Sequence, residues 1–188
     1  VESAINMYCA GDVDKSFPIF SRAAEAGNGR AMYYLSEIYH FGYGNVDEDE
    51  DLSEHWREKG KEKGDLLSKI TYAYDLDEED GIELMQDCME ELESMAQKDI
   101  TAKYELACLY NDWDYFQNTE LYAKLIIECA KDGFWLAMDR AGDIYYTGEI
   151  LEQDYEKARY WFEQGASLGD DSSKFSLGEI YKNGNGVE

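Results

Sequence analysis

Two rhythms order the apolar residues of this chain. Over short stretches they return every three or four positions. In DYEKARYWFEQGASL (154–168), Tyr155, Ala158, Phe162 and Ala166 fall on one face with Trp161 beside them, the spacing of an amphipathic helix. The stretches KSFPIFSRAAEA, LSEHWREKGKEK, GIELMQDCMEELESMAQK and TELYAKLIIECAKD read the same way. The longer rhythm has a period of 35 or 36 residues. LSEIYHFGYG (35–44) comes back as LGEIYKNGNG (177–186), and between them Tyr39, Tyr74, Tyr110, Tyr145 and Tyr181 keep one phase. Such a period marks stacked supersecondary units.

The positions around each tyrosine share a character. Three residues earlier stand Ser36, Thr71, Ala107, Gly142 and Gly178, all small. One residue before those stand Leu35, Ile70, Leu106, Ala141 and Leu177, all apolar. Eight before the tyrosine stand Ala31, Leu66, Ala102, Ala137 and Ser173. A small side chain on a helix face lets a neighbouring helix come close, where a larger one would overpack the contact. The second helices stop at Gly27, Gly64, Asp99, Gly133 and Gly169. Glycine is the expected stop because it takes the left-handed conformation at little cost; Asp99 predicts a different turn. The pattern therefore predicts helices at about 2–10, 15–26, 29–41, 51–63, 65–75, 80–97, 100–111, 119–132, 134–147, 154–168 and 170–183, with Pro18 in the first turn of its helix, where its missing N–H matters least. The units fall at about 1–27, 28–64, 65–99, 100–133, 134–169 and a partial 170–188.

The string DYEKARYWFEQGASLGDDSSKFSLGEIYKNGNGV (154–187) resembles a Sel1-like repeat, a relative of the tetratricopeptide repeat: Ala158, Trp161, Phe162, Gly169, Leu177, Gly178, Tyr181, Gly184, Gly186 and Val187 fill the family's positions. Residues 23–49 match nearly as well and 134–154 moderately, whereas 65–118 keep the phase but lack the Leu-Gly pair and the loop glycines. The resemblance implies an all-α fold, a right-handed α/α superhelical solenoid of about five helix-turn-helix repeats. It also implies a non-catalytic adaptor that binds a protein or peptide on its concave face. Carried over by phase, that face comprises Arg30, Tyr33, Glu37, His40, Ser68, Tyr72, Asp75, Tyr104, Asn111, Asp139, Asp143, Tyr146, Phe175, Glu179 and Lys182. Aromatic platforms flanked by carboxylates suit a peptide with Lys or Arg side chains; the alternative is that some of these tyrosines simply pack on the adjacent repeat. Residue 1 falls inside a first helix and Glu188 in a loop before a second, so the array is expected to continue in a longer protein.

Charge narrows the choice of partner. With 17 Lys and Arg against 42 Asp and Glu the net charge is −25, which repels nucleic-acid phosphates and favours basic partners; it also serves solubility. No run of apolar residues is long enough for a membrane span, and no signal peptide is evident, although a removed leader is compatible with a first residue that is not Met. Cys9, Cys88, Cys108 and Cys129 lack metal or disulfide-framework spacing and read as small buried residues of a reducing compartment, with the cytoplasm favoured. Asp47, Asp49, Asp51 and Glu58 imitate a calcium loop, but Leu52 stands where its turn needs glycine, so these acids read as a helix start. His40 and His55 have no catalytic partner in sequence. No cofactor or metal is expected. Two rival readings stay open: an inert structural arm of a larger protein, and a cell-wall hydrolase, whose cysteine-rich relatives pair cysteines eight apart, unlike this chain.

Overall fold

The computed structural model describes residues 1–184; Gly186 and Val187, which the resemblance uses, lie outside them. The described residues form helices only: α1 (Glu2–Cys9), α2 (Val13–Glu25), α3 (Gly29–Phe41), α4 (Glu50–Glu62), α5 (Leu66–Ala73), α6 (Glu78–Ala96), α7 (Ile100–Asp112), α8 (Thr119–Lys131), α9 (Trp135–Thr147), α10 (Tyr155–Ser167) and α11 (Asp171–Asn183). The chain is an all-α repeat fold, as the periodicity predicts. It divides into two compact units, one of residues 1–8 and 12–95, the other of 9–11 and 96–188.

In the first unit α3 packs on α2, α4 and α5. Its core is aromatic: the Phe20 and Tyr34 rings stack 4.5 Å apart at 13°, and Tyr8 lies 4.9 Å from Tyr34. Leu35, Ile38, Leu67, Ile70, Met85 and Leu92 complete it, all buried. In the second unit each helix from α7 to α11 packs on the next, and α9 also touches α11. Ala158, Phe162 and Ile180 form a core cluster there, with Tyr145, Tyr146 and Leu177 against it.

Three backbone devices recur. Asn28, Asp65, Asp99 and Asp170 cap the helices that follow them, each side chain accepting from a backbone N–H of the first turn, which satisfies a donor the helix cannot. Gly27, Gly64, Gly133 and Gly169 take φ between +78° and +99°, and the N–H of the following residue reaches back to the carbonyl of Ala23, Gly60, Cys129 or Gly165 at 2.9–3.1 Å, the Schellman closure. Finally, the N-caps Asp49, Asn118 and Asp154 donate their own N–H to the carbonyls of Tyr39, Tyr110 and Tyr145, each at 2.9 Å. This last clasp gives the recurrent tyrosine a backbone role in closing the loop.

Asp99 corrects the sequence reading: it is the cap of α7 and not the stop of α6. Lys98 occupies the stop position, and among the described residues none but glycine has positive φ, so the turn there is different, as expected. Pro18 is a second correction. Helix α2 begins at Val13, which is buried, so Pro18 lies in the second turn. The third concerns register. Counted from the N-caps, Tyr39, Tyr110, Tyr145 and Tyr181 are equivalent, but the fifth position is Leu76; Tyr74 is the C-cap of the short α5 and is exposed. Ala73, fully buried, is then the small residue of that unit in place of Thr71.

Two equivalent glycines show why that small position matters. A side chain at Gly142 would collide with the Phe162 ring, whereas one at Gly178 meets nothing within 4 Å. Gly178→Ala should therefore stabilise by about 0.5–1 kcal/mol through helix propensity. Gly142→Ala should destabilise by about 1–2 kcal/mol, overpacking outweighing the same gain. Urea titration of both variants checks the opposite signs.

Candidate functional site

Register decides which residues share a face. In α3, α7, α9 and α11 the candidates Tyr33, Glu37, His40, Tyr104, Asn111, Asp139, Asp143, Tyr146, Phe175, Glu179 and Lys182 hold equivalent places counted from their N-caps. Ser68, Tyr72 and Asp75 stand two places early; in α5 and the turn after it the equivalents are Ile70, Tyr74 and Asp77.

The first unit uses most of its candidates internally. Tyr33 is 2% exposed and packs edge-on against Tyr34. Ser68 is fully buried, donates to Asp65 at 3.1 Å, and fills the space that a side chain on Gly60 would need. Neither side chain is open to a partner. Arg30 pairs with Asp65 at 3.1 Å. Tyr72 carries the Lys61 ammonium 3.1 Å above its ring, a cation–π contact. Glu37 is half-buried. His40 Nδ1 lies 2.9 Å from Glu50, and the buried Arg57 reaches Glu50 at 3.6 Å and Asp75 at 2.9 Å. Burial raises the Asp75 carboxyl above its ordinary value, with Arg57 opposing. Asp49 caps α4 and Asp51 is exposed in its first turn. Among the described residues no three His, Cys, Asp or Glu side chains are grouped as a metal ion would need.

The second unit leaves carboxylates unpaired. Asp139 and Asp143 lie one turn apart on α9, next to Asp170 at the start of α11. Burial, then the charges of Asp143 and Asp170, push Asp139 up to about 7; its closest polar partner is the Ser173 hydroxyl, which donates at 3.4 Å. Burial also raises Asp143, with Arg140 opposing and the Asp170 charge adding a smaller push. Asp170 is committed to capping, accepting from the Ser173 N–H at 2.7 Å. Arg140 turns its Nε to the Tyr104 hydroxyl at 2.9 Å and also bonds Tyr122. Neither Asp139 nor Asp143 has a Lys or Arg within ion-pair distance among the described residues. The other candidates are dispersed. Tyr146 packs edge-on against Tyr155 and Phe162, Asn111 bonds Asp112, Glu179 pairs with Lys182, and Phe175 is 74% exposed.

Sequence reasoning overlooked Arg57, Lys61, Glu50 and Arg140, which decide which acids stay unpaired. Arg140 had a signal, as the sole basic residue of α9 between the two aspartates; the others sit in helices assigned to the opposite side of each pair. The cysteines are free thiols, and burial pushes Cys9 up to about 11 and Cys129 to about 12, which leaves them unreactive near neutral pH. No helix among the described residues is long and apolar enough to cross a membrane.

The Sel1 repeat family model matches residues 29–65, 135–170 and 172–188. The intervening stretch includes the turn that lacks its glycine. Among solved structures, a Sel1 repeat protein from Oxalobacter formigenes shares 25% identity at a TM-score of 0.54, over 98% of this chain and 78% of that one. The second, c5321, a protective antigen present in uropathogenic Escherichia coli strains and displaying an SLR fold, shares 25% at a TM-score of 0.52; this chain is covered over 98% of its length but spans 41% of that protein. No curated protein sequence matches the chain. Sel1-repeat proteins generally act as protein–protein interaction scaffolds, and the fold is typically non-catalytic. The chain thus carries segments that match the Sel1 repeat at α3–α4, α9–α10 and α11, and its solved neighbours are Sel1 or SLR repeat proteins.

Proposed function

We propose that this chain is a non-catalytic interaction scaffold that takes a basic side chain of a peptide or protein partner at Asp139 and Asp143. The observation that carries the reading is the pair itself: two carboxylates raised chiefly by burial, with no Lys or Arg at ion-pair distance among the described residues, on the face that the family resemblance implies for binding. A Lys or Arg entering there gains charge-assisted hydrogen bonds and relieves the repulsion between the acids. The net charge of −25 steers basic partners to the surface and disfavours nucleic acid. The paired charges around Arg57 make the first unit a poorer site.

Calorimetric titration with Lys- and Arg-containing peptides tests this. The double variant Asp139→Asn, Asp143→Asn should bind at least about tenfold more weakly, the loss of one hydrogen-bonded charge pair. Affinity for the unsubstituted chain should fall as pH drops below 7 and Asp139 takes up a proton. Unchanged affinity in the variant would move the site elsewhere.

A further inference from the structure

The end of α3 departs from its own repeat register. Counted from the N-caps, Phe41 and Tyr43 are equivalent to Asp112 and Asp114 after α7, and to Thr147 and Glu149 after α9. Two aromatic rings therefore stand where those repeats carry polar side chains. The rings are stacked, with centroids 5.1 Å apart at 21°, and Phe41 is 49% exposed. Gly42 between them takes φ +63°, the left-handed conformation that lets the chain double back until the rings meet. The turn is held in place from several sides. Tyr43 meets the buried Tyr8 edge-on at 6.5 Å, and His40 meets Phe41 edge-on at 4.5 Å. The Tyr43 N–H donates to the Ile38 carbonyl at 3.2 Å. Asn45 donates its backbone N–H and its side-chain amide to Asp14 at 2.9 and 2.6 Å. An exposed aromatic platform is thus formed in advance of any contact, which lowers the ordering cost of binding.

Charge selects the occupant. From Tyr39 to Trp56 the chain carries six Asp and Glu and no Lys or Arg. Asp49 is committed to its cap, and Glu50 to His40 and Arg57. Asp47 and Glu48 are exposed and in no ion pair among the described residues. The Glu48 side chain lies against Gly42, where an added Cβ would stand 2.9 Å from its Cγ, so its carboxylate stands beside the two rings. We infer that this platform binds an arginine side chain of a partner protein, the guanidinium plane stacked on Phe41 and its N–H groups donating to Glu48. Lysine fits less well, because its compact and strongly hydrated ammonium cannot stack as a plane. The platform lies in the α3–α4 connection of the first unit, so it is independent of the proposed site at Asp139 and Asp143.

The test uses the full chain carrying Asp139→Asn and Asp143→Asn, which removes the other site for basic side chains. The peptide acetyl-Gly-Arg-Gly-Arg-Gly-amide and its lysine twin are titrated while backbone amide shifts are followed by NMR. Saturable shifts are expected at residues 41–44 and 48, with the arginine peptide binding about threefold or more tightly than the lysine peptide. Phe41→Ala and Glu48→Gln should each weaken the arginine peptide about threefold or more, and Phe41→Tyr should retain it. Phe41 is exposed, and circular dichroism verifies that its variants fold. Equal affinity for the two peptides would reduce the contact to point-charge attraction and overturn the inference. So would shifts confined to other residues, or binding that Phe41→Ala leaves unchanged. A dimer in sedimentation that Phe41→Ala abolishes would assign the platform to a second copy and would equally overturn it.

Discussion

Phe162→Ala should lower the stability of the second unit by about 3–5 kcal/mol. The ring is 1% exposed at the centre of the cluster formed with Ala158, Ile180, Leu177, Tyr145 and Tyr146. It lies against Gly142, which has no side chain to move into the vacated volume, so the cavity collapses poorly and the cost falls in the upper part of the range for buried aromatics. The sequence places the same expectation on Tyr145→Ala. Tyr145 is only half-buried, however, so its loss should be about half as large. Urea unfolding followed by tryptophan fluorescence, with Trp135 and Trp161 as probes inside the same unit, compares the two. Equal losses would contradict the packing around Gly142.

The second large effect is a pH dependence with the less common sign. Folding raises the Asp139 carboxyl from about 3.8 to about 7. Between those values the folded chain holds a proton that the unfolded chain has released, so this group makes stability fall as pH rises from about 4 to 7 and then level off. A rise of that size corresponds to about 4 kcal/mol, which solvent screening at a half-buried carboxyl reduces to about 2 kcal/mol. Asp139→Asn should therefore stabilise the chain by about 2 kcal/mol at pH 8 and leave it nearly unchanged at pH 3.5, as read by denaturant unfolding at the two pH values. A variant no more stable at pH 8 would show that Asp139 is well solvated. The same substitution is expected to weaken binding, the usual conflict between a strained binding group and stability.

Where the chain keeps its caps and glycine stops, the fold was legible from the sequence. Helix α3, bounded by Asn28 and Gly42, runs over 29–41 as the apolar period implies. Legibility failed where a neighbouring residue offered the same signal. Tyr74 sits two residues from the true equivalent, and because α5 is short, the phase drawn through it moved Ser68, Tyr72 and Asp75 out of register. The candidate site was less legible than the fold for another reason. Periodicity tells which side of a helix a residue occupies, but not whether an arginine from the partner helix, as Arg57 does for Asp75, has already neutralised it. That is why Asp143 and Asp75 looked alike along the chain.

The clasp between the recurrent tyrosine and the next N-cap closes connections of unequal length. Asp49 follows Tyr39 by ten residues, Asn118 follows Tyr110 by eight, and Asp154 follows Tyr145 by nine, with the same 2.9 Å bond each time. Because that bond joins main chain to main chain, the residues enclosed carry little of the responsibility for closure. Closing a slightly longer loop costs only tenths of a kcal/mol. These connections are natural insertion points, where an epitope, a tag or a recognition sequence can be grafted while the scaffold on either side keeps its geometry.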